Sequence, residues 1–337
     1  MEPITDVRGI SRIAYGFVGS RALFAALDLD VFSRLSGQPK TLDALARESD
    51  IAANRLLALL TALVSVGLLE KDGEFYANAP ASETFLVRGA PKDFGDYLRV
   101  VNGKFVYPMF TALEAALRGK HIRSDSGFYA AYYGDQERAE QFTRAQHAGS
   151  LGPAAVLARR IDLTGCRTLL DVGGGSGAFT ITLCRRYPEL AATILDFPQT
   201  VEVAKRYVAE AGLGARVGHL PGNAVSTEWP SGQDAVLMSY LWSAVSRDDI
   251  DELAKRAYTA LAPGGLVLIH DFMVSDEKTG PPIAAWHLLG STVDNPDAVC
   301  LTPSFVTERL SLAGFGHVSV EALIPGITNL ATAHKPA

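Results

Sequence analysis

The sequence predicts an α/β chain in which a mainly helical N-terminal domain precedes a Rossmann-like domain with a parallel sheet. The first observation is the stretch 168–178, TLLDVGGGSGA, where a short apolar run meets a glycine-rich turn and then a helical pattern. The second is the alternation of apolar runs and amphipathic segments after residue 162. The third is the apolar periodicity of residues 8–36, which is typical of a helix. We expect a ligand at the glycine-rich turn.

Two motifs fit this turn, and they bind different ligands. Gly173, Gly175 and Ala178 fit the dinucleotide fingerprint GxGxxA, whereas Asp171 and the glycines fit the DxGxGxG loop of S-adenosylmethionine (SAM) methyltransferases. A carboxylate at the end of the first strand suits the cationic amino group of a methionine moiety and would repel a pyrophosphate. Asp196 ends the next apolar run, where either ligand would place a ribose diol.

Length, charge and cysteine content exclude several classes of protein. The 337 residues correspond to about two domains at roughly 150 residues each, and 48% are apolar. The formal net charge of −6 argues against nucleic acid or an anionic membrane as the main partner. The three cysteines lack metal-ligand spacing and indicate reduced thiols of a cytoplasmic protein. No apolar run approaches the ~18 residues of a membrane span, and we see no signal peptide.

A winged helix is predicted near the N-terminus. Its predicted elements are helices over 8–36, 42–48 with Thr41 as N-cap, and 54–66, followed by a hairpin over 68–77. The helix over 54–66 has Arg55 as its only basic residue and is otherwise rich in Leu, Ala and Val, so it is a poor DNA-reading helix. An apolar helix surface of this kind is typical of contact with a partner subunit.

The rest of the chain predicts further helices and then a sheet. Helices over 104–117 and 137–161, the latter with a possible break at 149–153, flank an aromatic-rich stretch at 121–134. Five parallel strands are followed by two that add an antiparallel edge. The predicted strands are 169–172, 192–195, 217–220, 235–240, 266–271, 318–323 and 329–333. The predicted helices between them are 179–187, 201–210, 247–261 and 302–313.

Four motifs carry a resemblance to a known family. They are residues 170–177 (LDVGGGSG), 195–198 (LDFP), 221–224 (PGNA) and 261–265 (LAPGG). From about residue 10 to 335 the chain resembles the small-molecule O-methyltransferases of the plant caffeate and acetylserotonin type and their bacterial secondary-metabolite relatives. The resemblance implies SAM as the cofactor in preference to NAD. It also implies a winged-helix dimerisation domain over 1–100, a helical linker over 101–161 that contributes to the substrate pocket, and a SAM-binding domain over 162–337.

The same resemblance implies a set of cofactor-binding residues. They are Asp171, Gly173, Gly175, Asp196, Phe197, Asn223, Ala224 and Ser239. The glycine turn would hold the methionine portion, Asp196 the ribose hydroxyls, and Phe197 the adenine. Asn223 replaces the usual Asp near the adenine amino group, although an amide oxygen can accept the same hydrogen bond. Ala224 replaces a bulky apolar residue, and Ser239 stands where many members have Lys.

The catalytic position departs from the family pattern. The loop after the fourth strand usually carries a His-Asp pair, and here Ser243 and Ala244 occupy those positions. The usual base is absent, and so is the His-Asp pair that the metal-dependent keto-acid C-methyltransferases of this family use as ligands, so we expect no catalytic metal. His287, within residues 284–289, is the candidate base, and this segment resembles the bacteriochlorophyllide C-methyltransferase branch. An imidazole of pKa roughly 6.5 can take a proton from an acidic hydroxyl or an enolisable carbon.

Other polar and aromatic residues are candidates for contact with the acceptor. We expect Trp242 to pack against its flat face, with Tyr240, Ser243 and His147 nearby. His270, beside Asp271, is a second candidate base but is more typical of a packed residue. The histidines expected at the surface or at strand ends are His121, His219, His317 and His334.

The sequence therefore predicts a homodimeric SAM-dependent methyltransferase that acts on oxygen or activated carbon of a small aromatic or enolic metabolite. It predicts no nucleic-acid or membrane partner. One alternative is a repurposed member that uses SAM for hydroxylation, decarboxylation or pericyclisation, which release of S-adenosylhomocysteine would distinguish. The other is a SAM-sensing DNA-binding regulator, which a gel-shift assay would detect.

Overall fold

A computed structural model of the chain describes residues 3–120, 136–295 and 297–337. The chain divides into two compact units, Met1–Tyr107 and Pro108–Ala337. The division falls inside the predicted linker over 101–161, so most of that segment belongs to the C-terminal unit. The aromatic-rich part of the predicted linker, residues 121–134, lies outside the described residues.

The N-terminal unit has the predicted winged-helix arrangement. Its helices are α1 (Val7–Asp28), α2 (Val31–Leu35), α3 (Leu42–Ser49), α4 (Ala53–Ser65) and α5 (Pro80–Phe85). Its strands are β1 (Lys40–Thr41), β2 (Leu69–Asp72) and β3 (Phe75–Asn78), which form an antiparallel sheet in the order β1-β3-β2. Thr41 caps α3 as predicted, because its side chain accepts a hydrogen bond from the Ala44 N–H. The single helix predicted over 8–36 is wrong, since Asp30 adopts a φ of 55° and separates α1 from α2.

The first half of α1 leaves a row of apolar side chains exposed. The core of the unit instead uses the end of α1, α2 and α4, including Phe32, Leu60 and Leu63. The exposed apolar residues of α1, with their exposed fractions, are Val7 (72%), Ile10 (61%), Ile13 (72%), Tyr15 (71%), Phe17 (56%) and Val18 (47%). A contiguous apolar surface of this kind is typical of a protein interface.

The helix predicted over 104–117 is not regular. The chain forms a π-helical segment over Tyr97–Val106, α6 (Tyr107–Met109), a 3₁₀ turn over Phe110–Ala112 and α7 (Leu113–Leu117). Pro108 lies within this run and has no backbone N–H to donate, which disfavours regular α-helical bonding there. Apolar periodicity alone could not predict this change of helix type.

The C-terminal unit is a sheet of seven strands with helices on both faces. The strands are β4 (Thr168–Val172), β5 (Ala191–Asp196), β6 (Val217–Pro221), β7 (Gln233–Ser239), β8 (Leu261–Asp271), β9 (Gly316–Ile324) and β10 (Thr328–His334). The helices are α8 (Gln136–Arg160), α9 (Ala178–Arg186), α10 (Pro198–Glu210), α11 (Arg247–Ala260), α12 (Pro282–Asp294) and α13 (Pro303–Leu312). The break considered near 149–153 does not occur, because α8 continues through Pro153.

The sheet order is β6-β5-β4-β7-β8-β10-β9. The first five of these strands are parallel, and β10 pairs antiparallel with both β8 and β9, which confirms the predicted edge. Central residues such as Leu169, Leu170 and Val236 are completely buried between the two helical layers. The strand order reverses between β4 and β7, and the carboxyl ends of these two strands therefore form the crevice where such sheets bind ligands.

Candidate active site

The turn after β4 is shaped by glycines that occupy the left-handed region. Gly173, Gly175 and Gly177 have φ values of 67°, 57° and 80°. A Cβ on Gly177 would lie 2.7 Å from the Ile194 Cδ1 atom, so this position also requires close packing of α9 on the sheet. A Cβ on Gly175 would meet no other atom within 4 Å, which places its backbone beside open space. The turn can therefore admit a ligand next to the start of α9.

Asp171, near the end of β4, has an unused acceptor atom. Its side chain is buried, and the Thr180 Oγ1 donates to Oδ2 at 2.6 Å. The Oδ1 atom is also buried and has no hydrogen-bond partner among the described residues. Burial raises the pKa of Asp171 to about 7, and the nearby charge of Asp196 acts in the same direction. A buried carboxylate oxygen without a donor is costly, so a cationic donor at this position would be strongly favoured.

Asp196 ends β5 and holds the glycine turn. The Gly175 N–H donates to Oδ2 at 2.8 Å, and the Phe197 N–H donates to Oδ1 at 2.7 Å. Burial raises the pKa of Asp196 to about 6, while these two hydrogen bonds oppose the shift. Each carboxylate oxygen can accept a further hydrogen bond, so the side chain can still receive two neighbouring hydroxyls.

The remaining residues predicted to bind the nucleoside lie at the ends of β5 and β6. Phe197 precedes α10, and the Gly222 N–H donates to the Asp196 carbonyl at 2.8 Å. Asn223 is exposed, and its Oδ1 already accepts the Val225 N–H at 2.8 Å, so its side chain stabilises its own turn. Ala224 is half-buried. The structure thus brings together Asp171, the glycine turn, Asp196, Phe197, Asn223 and Ala224.

Ser239 is bound to a buried histidine and does not point freely into the crevice. Its Oγ lies 2.8 Å from the His270 Nδ1, and the His270 Nε2 lies 2.9 Å from the Thr328 Oγ1. His270 is completely buried, and this burial lowers its pKa to about 3. Because both ring nitrogens are occupied, His270 has the character of a packed residue and not of a base, in line with the sequence interpretation.

Tyr240, Phe272 and His287 form an aromatic row beyond the ends of β7 and β8. The Tyr240 and Phe272 ring centroids are 5.1 Å apart, and the Phe272 and His287 rings stack at 4.1 Å with an interplanar angle of 18°. Tyr240 has a φ of 57°, which is strained for an aromatic residue and is typical of functional sites.

His287 combines partial burial with free ring nitrogens. It lies on α12, and burial lowers its pKa to about 4, so the ring is neutral at pH 7. Neither ring nitrogen has a hydrogen-bond partner within the part of the chain that the structure describes. Its neighbour Trp286 is 64% exposed. The imidazole is therefore available as a proton acceptor.

Trp242 does not occupy the predicted place beside an acceptor. Its side chain is completely buried in the core, and its indole N–H donates to the Met238 Sδ at 3.4 Å. A wall for a bound acceptor needs an accessible ring face, and Trp242 has none in this structure. The prediction missed this because a residue just beyond a strand can turn toward either layer of the sheet.

Ser243, where the family usually has its base, binds a carboxylate that the sequence analysis did not use. Its N–H donates to the Asp271 Oδ2 at 3.0 Å, and its hydroxyl also bonds to Asp271. Asp271 is completely buried, and burial raises its pKa to about 6. The sequence signal for Asp271 was present, because it ends the apolar strand β8 as Asp196 ends β5.

His147 is attached to the cofactor turn and not to a surface for the acceptor. Its Nδ1 lies 2.8 Å from the Ser176 Oγ, and its ring stacks on Tyr207 at 3.8 Å with an interplanar angle of 9°. Burial lowers its pKa to about 4. The predicted role in acceptor binding does not suit this position, since α8 places the ring between the glycine turn and α10.

The other histidines lie away from the crevice. His317 and His334 are exposed on the edge strands, and His219 is half-buried on β6, whereas His121 falls outside the described residues. Across residues 3–120, 136–295 and 297–337, no three His, Cys, Asp or Glu side chains are arranged to hold a metal ion. In the same ranges no helix is long and apolar enough to cross a membrane.

Comparison with known proteins decides between the two ligands that the glycine turn allowed. Residues 119–290 match the O-methyltransferase domain, and residues 11–88 match the O-methyltransferase dimerisation domain. The chain is 32% identical to the tetracenomycin polyketide synthesis 8-O-methyl transferase TcmO of Streptomyces glaucescens, with 100% of both chains covered. The chain belongs to the O-methyltransferase family. It is a SAM-dependent methyltransferase that acts on a small molecule.

Two further relatives of this methyltransferase agree with its fold. Acetylserotonin O-methyltransferase of Mus musculus is 30% identical over 82% of this chain and 75% of its own length. The crystal structure of human N-acetylserotonin methyltransferase in complex with SAM superposes with a TM-score of 0.87 at 24% identity and covers 100% of both chains. These comparisons confirm the predicted SAM cofactor, the Rossmann-like domain and the N-terminal dimerisation domain.

Proposed function

We propose that this methyltransferase transfers a methyl group from SAM to a hydroxyl oxygen, or an activated carbon, of a planar aromatic or enolic metabolite. The observation that carries the proposal is the aromatic row that ends in His287, whose neutral imidazole has no hydrogen-bond partner among the described residues. Flat rings favour stacked or edge-to-face contact with other flat rings. The relatives that are named for aromatic acceptors, such as 3-hydroxy-5-methyl-1-naphthoate 3-O-methyltransferase of Streptomyces sahachiroi, support the same class.

The side chains around the glycine turn fit SAM. The unpartnered Oδ1 of Asp171 suits its ammonium group, and the open space at Gly175 suits the methionine portion. Asp196 would receive the two ribose hydroxyls, and Phe197 would lie beside the adenine. SAM supplies a methyl group that its sulfonium has already activated for nucleophilic attack. The remaining work of the protein is to orient the acceptor and to remove its proton.

His287 would remove that proton. A ring nitrogen of His287 would accept the proton of the acceptor hydroxyl as that oxygen takes the methyl group that SAM would supply, with S-adenosylhomocysteine as the leaving group. Stacking on Phe272 fixes the plane of the imidazole and covers one of its faces, so the ring nitrogens stay accessible at the ring edge. Because the lowered pKa keeps the imidazole neutral, the ring can accept a proton at all pH values well above about 4.

A product assay tests this function. The protein would be incubated with SAM and a set of naphthols and hydroxyanthraquinones, each matched with the analogue in which the hydroxyl is already methylated. We expect S-adenosylhomocysteine and a product one methyl group heavier from the hydroxylated compounds only. A hydroxylated or decarboxylated product, or turnover without S-adenosylhomocysteine, would contradict the proposal and favour the repurposed alternative.

We also propose that the enzyme is a homodimer in the cytoplasm and has no nucleic-acid or membrane partner. The dimerisation domain and the exposed apolar row of α1 support the dimer. An obligate interface of this type buries more than about 2,000 Å². The single basic residue of α4, Arg55, and the net charge of −6 argue against DNA.

Charge introduced on α1 should separate the subunits. We expect the double variant Ile13→Asp and Phe17→Asp to be monomeric at micromolar concentration by light scattering, because two carboxylates would be buried in an apolar interface. Leu312→Asp is the matched control, since Leu312 is 70% exposed on α13 and should leave the dimer intact. A wild-type monomer under these conditions would contradict the dimer.

A further inference from the structure

A chain of hydrogen bonds crosses three neighbouring strands just below the candidate site. It runs from the Thr328 Oγ1 on β10 to the His270 ring on β8 and on to the Ser239 Oγ on β7, with distances of 2.9 and 2.8 Å. Thr328 and His270 are buried, with exposed fractions of 1% and 0%. A neutral imidazole has one donor and one acceptor nitrogen, and each rotating hydroxyl can complete the bond that its nitrogen requires. The ring is thus held at both ends.

His270 also supports the residue that follows Ser239. Its backbone carbonyl accepts the Tyr240 N–H at 2.8 Å, and the two rings meet edge to face at 4.5 Å. Tyr240 has a φ of 57°, a conformation that an aromatic residue keeps only where its surroundings hold it. A ring of His270 that is fixed on both nitrogens provides such a support.

Tyr240 occupies a position where its orientation matters. It follows β7 at the point where the strand order reverses, and its ring contacts Phe272, which stacks on His287. The next residue, Leu241, packs against the glycine turn, with its Cδ1 3.2 Å from the place of a Cβ on Gly173. A shift of Tyr240 would therefore move the aromatic row relative to the bound methyl donor.

We propose that the Thr328–His270–Ser239 chain is a positioning device that holds Tyr240 in its strained conformation and thereby orients the acceptor. His270 acts through Tyr240 and does not touch the reacting atoms. The expected change in acceptor kinetics rests on the proposed function, because that function places the acceptor against the aromatic row. The structural part of the inference does not depend on the identity of the acceptor.

Thr328→Val is the variant that tests the hydrogen-bonded chain most directly. It removes the hydroxyl at the far end of the chain and keeps nearly the same side-chain volume, and Thr328 lies on β10, two strands away from β7. We expect faster amide hydrogen exchange at residues 240–243, a kcat/KM for the acceptor lowered about tenfold, and an unchanged Kd for SAM. His270→Leu should produce a larger change in the same direction, and His270→Gln, which keeps a donor and an acceptor, should restore part of the activity.

Thr332→Val is the matched control, because Thr332 lies on the same strand and its hydroxyl has no hydrogen bond within the described residues. Thr332→Val should change neither the amide hydrogen exchange at residues 240–243 nor the kcat/KM for the acceptor.

In a Tyr240→Ala background, Thr328→Val should no longer lower the kcat/KM for the acceptor, because the residue through which the hydrogen-bonded chain acts is gone.

The outcomes separate this inference from the proposed function. If wild-type protein methylates none of the aromatic acceptors, the proposed function fails, and hydrogen exchange still tests the hydrogen-bonded chain. Unchanged exchange at residues 240–243 in both Thr328→Val and His270→Leu would overturn the inference. Faster hydrogen exchange with an unchanged kcat/KM for the acceptor would also overturn it. So would a Thr328→Val substitution that lowers kcat/KM equally in the presence and absence of Tyr240. Either result would leave His270 as a packing residue.

Discussion

His287→Ala should lower kcat by roughly 10²–10⁴, which is the usual contribution of a well-placed general base. The neutral ring stacked on Phe272 has two unpartnered nitrogens among the described residues, so its removal deletes a proton acceptor without breaking a hydrogen bond of the fold. The Kd for SAM should change little, because Asp171, Asp196 and the glycine turn are untouched. Single-turnover methylation of a naphthol, together with calorimetry of SAM binding, measures both quantities.

Two comparisons make the test specific to proton removal. His287→Gln keeps hydrogen-bonding groups but cannot act as a base, and it should be as inactive as the alanine variant. The loss should shrink for acceptors that are acidic enough to ionise unaided. Since burial lowers the pKa of His287 to about 4, the wild-type kcat/KM for the acceptor, measured with saturating SAM, should not fall near pH 6.5 through protonation of the base, but only toward pH 4. Near-normal kcat in His287→Ala from pH 6 to 9 would assign His287 to packing.

The positions of Asp171, Asp196 and the glycine turn could be predicted from the sequence because their signals are local. Asp171 and Asp196 end apolar strands, and the glycines between them require φ values that other residues rarely adopt. Parallel strands bring their carboxyl ends to one edge, so residues far apart in the chain meet there without any knowledge of side-chain packing. The sheet and its antiparallel edge followed from the same periodicity.

The acceptor side could not be predicted in the same way. Whether Trp242 faces the crevice or the core depends on how the loop after β7 packs on β8, and that is a contact between distant segments. His147 lies on α8. The apolar periodicity of this helix predicts which of its faces are buried, but it does not predict which element packs against each face. Asp271 ends its strand as Asp196 does, but only the packing of the loop after β7 brings the Ser243 N–H to its carboxylate. These positions are set by tertiary packing, which overrides local pattern.

Asp171→Asn should weaken SAM binding at pH 8 by about 10- to 150-fold, the equivalent of roughly 1.5–3 kcal/mol for a hydrogen bond to a charged group. The variant keeps the size of the side chain and an oxygen for Thr180, but it removes the negative charge that faces the ammonium group. The unpartnered Oδ1 of Asp171 is the reason for this expectation. Calorimetric titration with SAM measures the change.

The same carboxylate should make SAM binding depend on pH. Burial raises the pKa of Asp171 to about 7, so in the free enzyme the group is mostly protonated at pH 6 and must lose its proton to pair with the ammonium group. The affinity for SAM should therefore fall by close to tenfold per pH unit as the pH drops below 7. Asp196, whose pKa is about 6, adds a second decline at lower pH.

The stability of the enzyme without SAM should change in the opposite direction. Because the folded-state pKa of Asp171 lies above its ordinary value of 3.8, the folded state binds a proton that the unfolded state has released. The free energy of unfolding should therefore decrease as the pH rises from about 4 to 7, and Asp171→Asn should remove that contribution and raise stability at pH 8. Thermal unfolding from pH 5 to 8, with and without SAM, measures both trends. Equal SAM affinity of the wild type at pH 6 and 8, or tight binding by Asp171→Asn, would show that Asp171 only anchors the turn through Thr180.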